Sequence, residues 1–104
     1  MKPIVPISKF KEGETVQGFY LCVEKHLRHS RSGDLYIDLL LRDRTGQIHA
    51  KIWNKVEDFD KKFSKGDALA VKGDVEFFLD RPQLIVKRIN KATVQNYARY
   101  GFDP

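Results

Sequence analysis

A single cysteine, Cys22, stands in a chain of 104 residues, so no intrachain disulfide can staple the fold. A lone thiol points to a reducing compartment, and the expected setting is cytoplasmic. Long apolar runs are also missing: nothing approaches the roughly 18 residues of a transmembrane helix. The opening Met1-Lys-Pro-Ile-Val-Pro-Ile7 has neither the apolar length nor the small-residue cleavage site of a signal peptide. No polybasic run suits a membrane surface, so no membrane partner is expected. Internal repeats and low-complexity tracts are absent. With 41% hydrophobic and 32% charged residues, the composition is that of one small globular domain rather than a disordered chain.

Catalytic signatures are scarce too. There is no Gly-rich phosphate motif, no nucleophile elbow, and no acid pair whose separation the spacing defines. Cys22, His26 and His29 are the nearest approach to a metal set. They fit it badly: Cys22 and His26 lie about 13 Å apart along an extended strand, and only His49 remains to complete a tetrahedral site. Neither a metal, a cofactor nor catalysis is expected of this chain. What is abundant is positive charge, 19 Lys and Arg against 14 Asp and Glu, a net +5. That excess suits phosphate-bearing partners through steering and counterion release, and would serve an acidic protein equally well.

The segment from Gly33 to Trp53 organises the rest. Ile37, Leu39 and Leu41 alternate with Tyr36, Asp38 and Arg42, the period of a strand with one buried face. Asp43-Arg-Thr-Gly46 reads as a turn, with Gly46 free to adopt positive φ. Alternation resumes as Ile48, Ala50 and Ile52 against Gln47, His49, Lys51 and Trp53. This is a hairpin whose outer face carries aromatic, basic and amide groups, with Leu40 and Trp53 exposed.

Residues 1–13 read as an irregular lead-in in which Ile4, Val5, Ile7 and Phe10 cover one end of the core. Thr15 to His26 is a strand, with a bulge or bend expected at Gly18, where the apolar parity changes from Val16 to Phe19, Leu21 and Val23. Lys25 to Gly33 is a polar, basic connection. A helix from Asn54 or Lys55 to about Phe63 is predicted from the Asn54 cap, Glu57 in capping-box position and the Val56, Phe59, Phe63 stripe. A strand then runs from Leu69 to Phe78, Leu79-Asp-Arg-Pro82 turns, and Gln83 to Ile89 is the last strand, of ambiguous parity. Gly73 is expected where strands bend or pass close together. Residues 14–92 form the domain proper, and 93–104 are either a helical turn or two ended by Gly101 or a connector.

The order β-β-β-α-β-β is that of the OB-fold: all-β, a five-stranded Greek-key barrel with a short helix between strands 3 and 4. An SH3-like barrel is the rival, but it lacks a helix of that length at that point. In an OB-fold the second and third strands and the hairpin loops beside them form the binding face. Ten residues are candidates there for contact with nucleic acid. Tyr36 and Trp53 offer rings for base stacking, with His49 and Lys51 beside them. Trp53 has a structural alternative beneath Phe59 or a terminal segment. Lys25, Arg28 and Arg31 populate the basic first loop, which is otherwise a solvated connection. Phe78 and Arg81 occupy the last hairpin, Phe78 either clasping a ligand or folding back as a barrel plug, and Lys72 is a strand-borne phosphate contact.

Three runs carry a resemblance: Gly18-Phe-Tyr-Leu-Cys-Val-Glu-Lys25, Leu35-Tyr-Ile-Asp-Leu-Leu-Leu-Arg-Asp-Arg-Thr-Gly46, and Ile48-His-Ala-Lys-Ile-Trp-Asn54. With Lys65-Gly-Asp67, Val71-Lys-Gly73 and Pro82-Gln-Leu84, residues 13–91 resemble the amino-terminal OB domain of YhaM-type 3′–5′ exoribonucleases. Asp-x-Thr-Gly followed by an alternating strand and Trp also recurs in OB domains that bind transfer RNA and single-stranded DNA. The resemblance implies non-catalytic binding of single-stranded RNA or DNA, RNA slightly preferred, with Tyr36, Lys51 and Trp53 at positions on the family's binding side. It implies that catalysis would reside in a separate HD-type nuclease domain, of which this chain, without a His-Asp dipeptide, carries no trace. The chain is then the substrate-binding part of a longer exoribonuclease or a free-standing OB protein. The alternative is a protein-interaction or structural OB module in which Leu40, Trp53 and Phe78 meet another polypeptide.

Overall fold

Alternating apolar residues on five strands close a barrel in the order β1-β2-β3-β5-β4, β1 pairing with both β2 and β4. A computed structural model describes residues 5–98. The strands are β1 (Thr15–His29), β2 (Leu35–Asp43), β3 (Gly46–Ile52), β4 (Ala68–Phe78) and β5 (Arg81–Lys91). A short helix α1 (Val56–Asp60) joins β3 to β4, and α2 (Val94–Ala98) follows β5. All neighbours are antiparallel except β3 and β5, whose parallel contact closes the OB barrel. Ile37, Leu39, Leu41, Ile48, Ala50 and Ile52 of the central hairpin point inward, as their period requires, onto Leu69, Val71, Val75, Leu84, Val86 and Ile89.

The strand that serves both halves turns over later than expected. Gly18 sits in unbroken register opposite Val71. The bulge falls at Val23, between the pairs Cys22–Leu41 and Glu24–Leu40. Val16, Tyr20 and Cys22 therefore supply the core, while Phe19 is buried outside the core cluster. β1 also continues to His29, so Lys25 and Arg28 lie on a strand and only a short turn around Ser30 to Asp34 remains as loop. Gly73 is where strands crowd, as expected: a Cβ there would stand 2.5 Å from the Ile85 carbonyl oxygen. A second shift, between Lys72 and Gly73, resolves the parity of β5 by turning Leu84 and Val86, then Ile89, inward.

Two turns and the helix differ from expectation. The β2–β3 turn does not use positive φ at Gly46. Instead Asp43 closes it: Oδ1 accepts from the Thr45 and Gly46 amides at 2.8 and 3.2 Å and from the Thr45 hydroxyl at 2.6 Å. Its Oδ2 accepts the Ile7 amide at 2.9 Å and so anchors the lead-in, whose Ile7 is buried in the core. Helix α1 is a single turn without a side-chain cap; Lys55, not Asn54, precedes it, in left-handed conformation at φ 50°. Phe63 reaches the core from beyond the helix end. The β4–β5 turn is only Leu79-Asp80, both at positive φ, and Arg81 and Pro82 already pair with Phe78 and Phe77. Of the lead-in residues, Val5 and Phe10 pack on the core, whereas Ile4 lies outside the described residues, as does Gly101.

Candidate nucleic-acid interface

Because register in a hairpin decides which outer side chains meet, the pairing of Ile37 with Ile52 sets Tyr36 beside Trp53. Their rings stack with centroids 4.5 Å apart at 28°. Trp53 keeps 38% of its surface exposed, so the stack ends in an open face rather than beneath Phe59. Lys51 reaches over the Tyr36 ring, its Nζ 5.6 Å from the centroid. The outer face continues in rows across four strands. His26, Asp38, Lys51 and Ile85 form one row, and Glu24, Leu40, His49 and Gln83 the next.

The β4–β5 hairpin stands over these rows and makes a groove of about 650 Å³. Tyr36, Asp38, His49 and Lys51 form one wall; Phe78, Leu79, Arg81, Pro82 and Gln83 form the other. Phe78 is 61% exposed and does not plug the barrel. Neither Lys51 nor Arg81 makes an ion pair among the described residues. The groove therefore offers rings that can stack and two cations held in no ion pair, with Asp38 as its one carboxylate, which suits a strand of exposed bases joined by phosphates.

Five of the ten candidates thus converge on one groove: Tyr36, His49, Lys51, Phe78 and Arg81, with Trp53 stacked behind the first. Arg28 is one step removed, its Nε donating to Asp38 at 3.0 Å. Arg31 is exposed in the β1–β2 loop and does not line the groove. Lys25 is not available there. Its Nζ donates to the carbonyls of Asp60 and Phe63 at 2.8 and 2.7 Å and to the Asp60 carboxylate at 2.8 Å. With 15% of its side chain exposed and its charge above the Phe63 ring, it satisfies carbonyls that the end of α1 leaves free. Lys72 lies elsewhere on the barrel, between Gln17 and Arg88. Pro82 and Gln83, on the hairpin that the sequence marks as a clasping loop, also line the groove, as do Asp38 and Leu79, which were not among the candidates; an apolar Leu79 at a hairpin tip was the legible signal for the last.

Metal-ligating side chains do not converge: among the described residues no three His, Cys, Asp or Glu form a metal-sized group. Cys22 is fully buried, and burial pushes its thiol pKa up, so it is a core residue and no nucleophile.

A closed five-stranded barrel with this groove on its second and third strands defines a class, and residues 20–92 match the OB-fold nucleic acid binding domain family of the tRNA anti-codon type. The chain belongs to that family. More particularly, it is 29% identical over 84 residues to the 3′-5′ exoribonuclease YhaM of Listeria monocytogenes, covering 81% of this chain and 27% of that protein. YhaM of Oceanobacillus iheyensis is 30% identical over 77 residues, covering 74% of this chain and 24% of the relative. The chain thus spans about a quarter of the length of these relatives. Among solved structures, the second OB-fold domain of replication protein A from Methanococcus maripaludis superposes with a TM-score of 0.67 at 24% identity, covering 84% of this chain and 92% of that one. That likeness is one of fold.

Proposed function

We propose that the groove binds single-stranded nucleic acid without transforming it. One observation carries the reading: the Tyr36–Trp53 stack lies beside unpaired Lys51 and faces Phe78 and Arg81 across the groove. A base adding to the open side of the stack, or lodging against Phe78, contributes about 1–3 kcal/mol. Lys51 and Arg81 meet the phosphates between. RNA is the preferred substrate in this reading, on the strength of the relatives' names; no side chain in the groove is placed specifically to read a 2′-hydroxyl. The relatives' names favour a role as the substrate-binding part of a longer exoribonuclease; a cytoplasmic setting and an HD-type nuclease domain as its partner complete this proposal. Exposed Phe77, Phe78 and Leu79 favour one second reading, a surface for another polypeptide.

Titration of short RNA and DNA oligonucleotides by anisotropy, with Trp53 emission followed in parallel, separates the two. Binding should weaken with salt at a log–log slope of roughly 2 to 3, about 0.7 per phosphate contacted. Tyr36→Ala should cost about 1–3 kcal/mol with the slope nearly unchanged. Lys51→Ala and Arg81→Ala should each lower both affinity and slope. Wild-type-like binding by all three variants removes the groove as the site, and no binding of either nucleic acid at low salt leaves the polypeptide reading.

A further inference from the structure

Lys72 and Arg88 face each other directly across β4 and β5 on a part of the barrel that the groove does not use. Like charges opposite one another on a sheet repel. Neither makes an ion pair among the described residues; Asp74, the nearby carboxylate on β4, feels the Lys72 charge but is bonded to Thr15 at 2.6 Å and Lys87 at 3.1 Å. The two cations border a cleft of about 270 Å³ lined also by Gln17, Phe19, Val71 and Asn90 and by no carboxylate. Arg88 also lines a second depression, where Lys55, Lys61 and Lys62 surround α1 with Asp58 as the one acid. Lys55 follows Trp53 by two residues, within about 7 Å along the backbone. A path of five cations against one carboxylate therefore starts beside the aromatic stack and ends at Lys72.

We infer that this path is a second binding surface, taking the phosphodiester backbone of the same single strand after it leaves the Tyr36–Trp53 stack. The inference rests on the groove being the primary site. Its occupant is a polyanion because the path offers five cations and little open apolar surface: Phe19 and Val71, which line the cleft, are buried, and Phe59 beside α1 is half-buried under the Lys62 ammonium, 5.2 Å from its centroid. The strand would bind the groove through its bases and the path through its charge. Total site size would then lie toward the upper end of the roughly 4–16 nucleotides usual for an OB-fold.

Single-stranded RNAs of about 5 and about 15 nucleotides, titrated against wild type and Lys72→Ala/Arg88→Ala, test this. The long strand should bind wild type more tightly and with a steeper salt slope. The double variant should lose roughly tenfold on the long strand, with the slope lower by about 1.4, and nothing on the short one. Lys9→Ala/Lys11→Ala removes the same net charge from the exposed lead-in and should leave both affinities unchanged. Thermal unfolding should show the Lys72/Arg88 variant to be folded, since it relieves a repulsion. Equal losses on both strands, or none on the long one, overturn the inference while the groove stands. If the short strand fails to bind wild type, the groove reading falls, and the inference that rests on it falls too. If neither strand binds, both fall.

Discussion

Asp38 is the one carboxylate in the groove, and its position makes it a brake on the binding chemistry around it. It faces Lys51 across the hairpin and draws the Arg28 guanidinium to itself. A phosphate approaching Lys51 meets this negative charge at close range, and Arg28 cannot turn to the ligand without leaving its partner. Asp38→Asn should therefore tighten oligonucleotide binding by roughly three- to fivefold, the order expected for a solvent-screened pair, and should steepen the salt slope. Anisotropy at two ionic strengths checks this; weaker binding would mean that the Arg28–Asp38 pair holds the groove in shape. Lys25 teaches the converse. In the sequence it sits among other basic residues, yet its charge is consumed by helix α1, 35 residues further along.

At the scale of elements, the β4–β5 hairpin positions Phe78 and Arg81 and does so through a turn its residues dislike. Leu79 and Asp80 have φ of 51° and 63°, the left-handed region that asparagine and glycine adopt at less cost. Leu79→Asn/Asp80→Gly should stabilise the domain by about 1 kcal/mol, raising the melting temperature by about 4–8 °C. If Leu79 instead holds the ligand, the same variant will bind oligonucleotide less well despite being more stable, and calorimetry beside anisotropy separates the two effects. A melting temperature that falls would mean the exposed Leu79 side chain stabilises the hairpin more than its backbone strains it. The turn's existence was legible from Leu79-Asp-Arg-Pro82; its two-residue length was not, because Pro82 suggested a turn and is tolerated in the strand.

The whole barrel is closed at one end by the lead-in, and Tyr20 is the fastener. Its hydroxyl donates to the Val5 carbonyl at 2.8 Å, and its ring meets Phe10 edge-on at 6.0 Å. Burial, and secondarily the Asp43 carboxylate, holds the Tyr20 pKa well above that of an ordinary phenol. An unfolded chain loses this proton near pH 10 while the folded one retains it, so the contribution is complete below about pH 10 and declines as pH rises further. Alkaline unfolding monitored by circular dichroism should show that decline in wild type. Tyr20→Phe should be less stable at neutral pH by about 1 kcal/mol, the worth of one hydrogen bond, with a gentler fall above pH 10. An identical alkaline limb in both proteins would place the titrating group elsewhere.

Period-two alternation determined the barrel: it assigned Ile37, Leu39, Leu41, Ile48, Ala50 and Ile52 to one face, and every one is buried. It also assigned Tyr36, His49, Lys51 and Trp53 to the other face, and the order of five strands and one helix followed from where the alternation stopped. A strand's period names the face of a side chain but not its neighbour. Neighbours depend on register between segments distant in sequence, which hydrogen bonding and bulges set only in the folded molecule. Tertiary structure alone therefore decided that Tyr36 meets Trp53, that Val23 rather than Gly18 turns β1 over, and that Lys25 is consumed by α1. It likewise set Lys72 against Arg88, away from the groove, because charge has no period and reveals its partners only when the barrel closes.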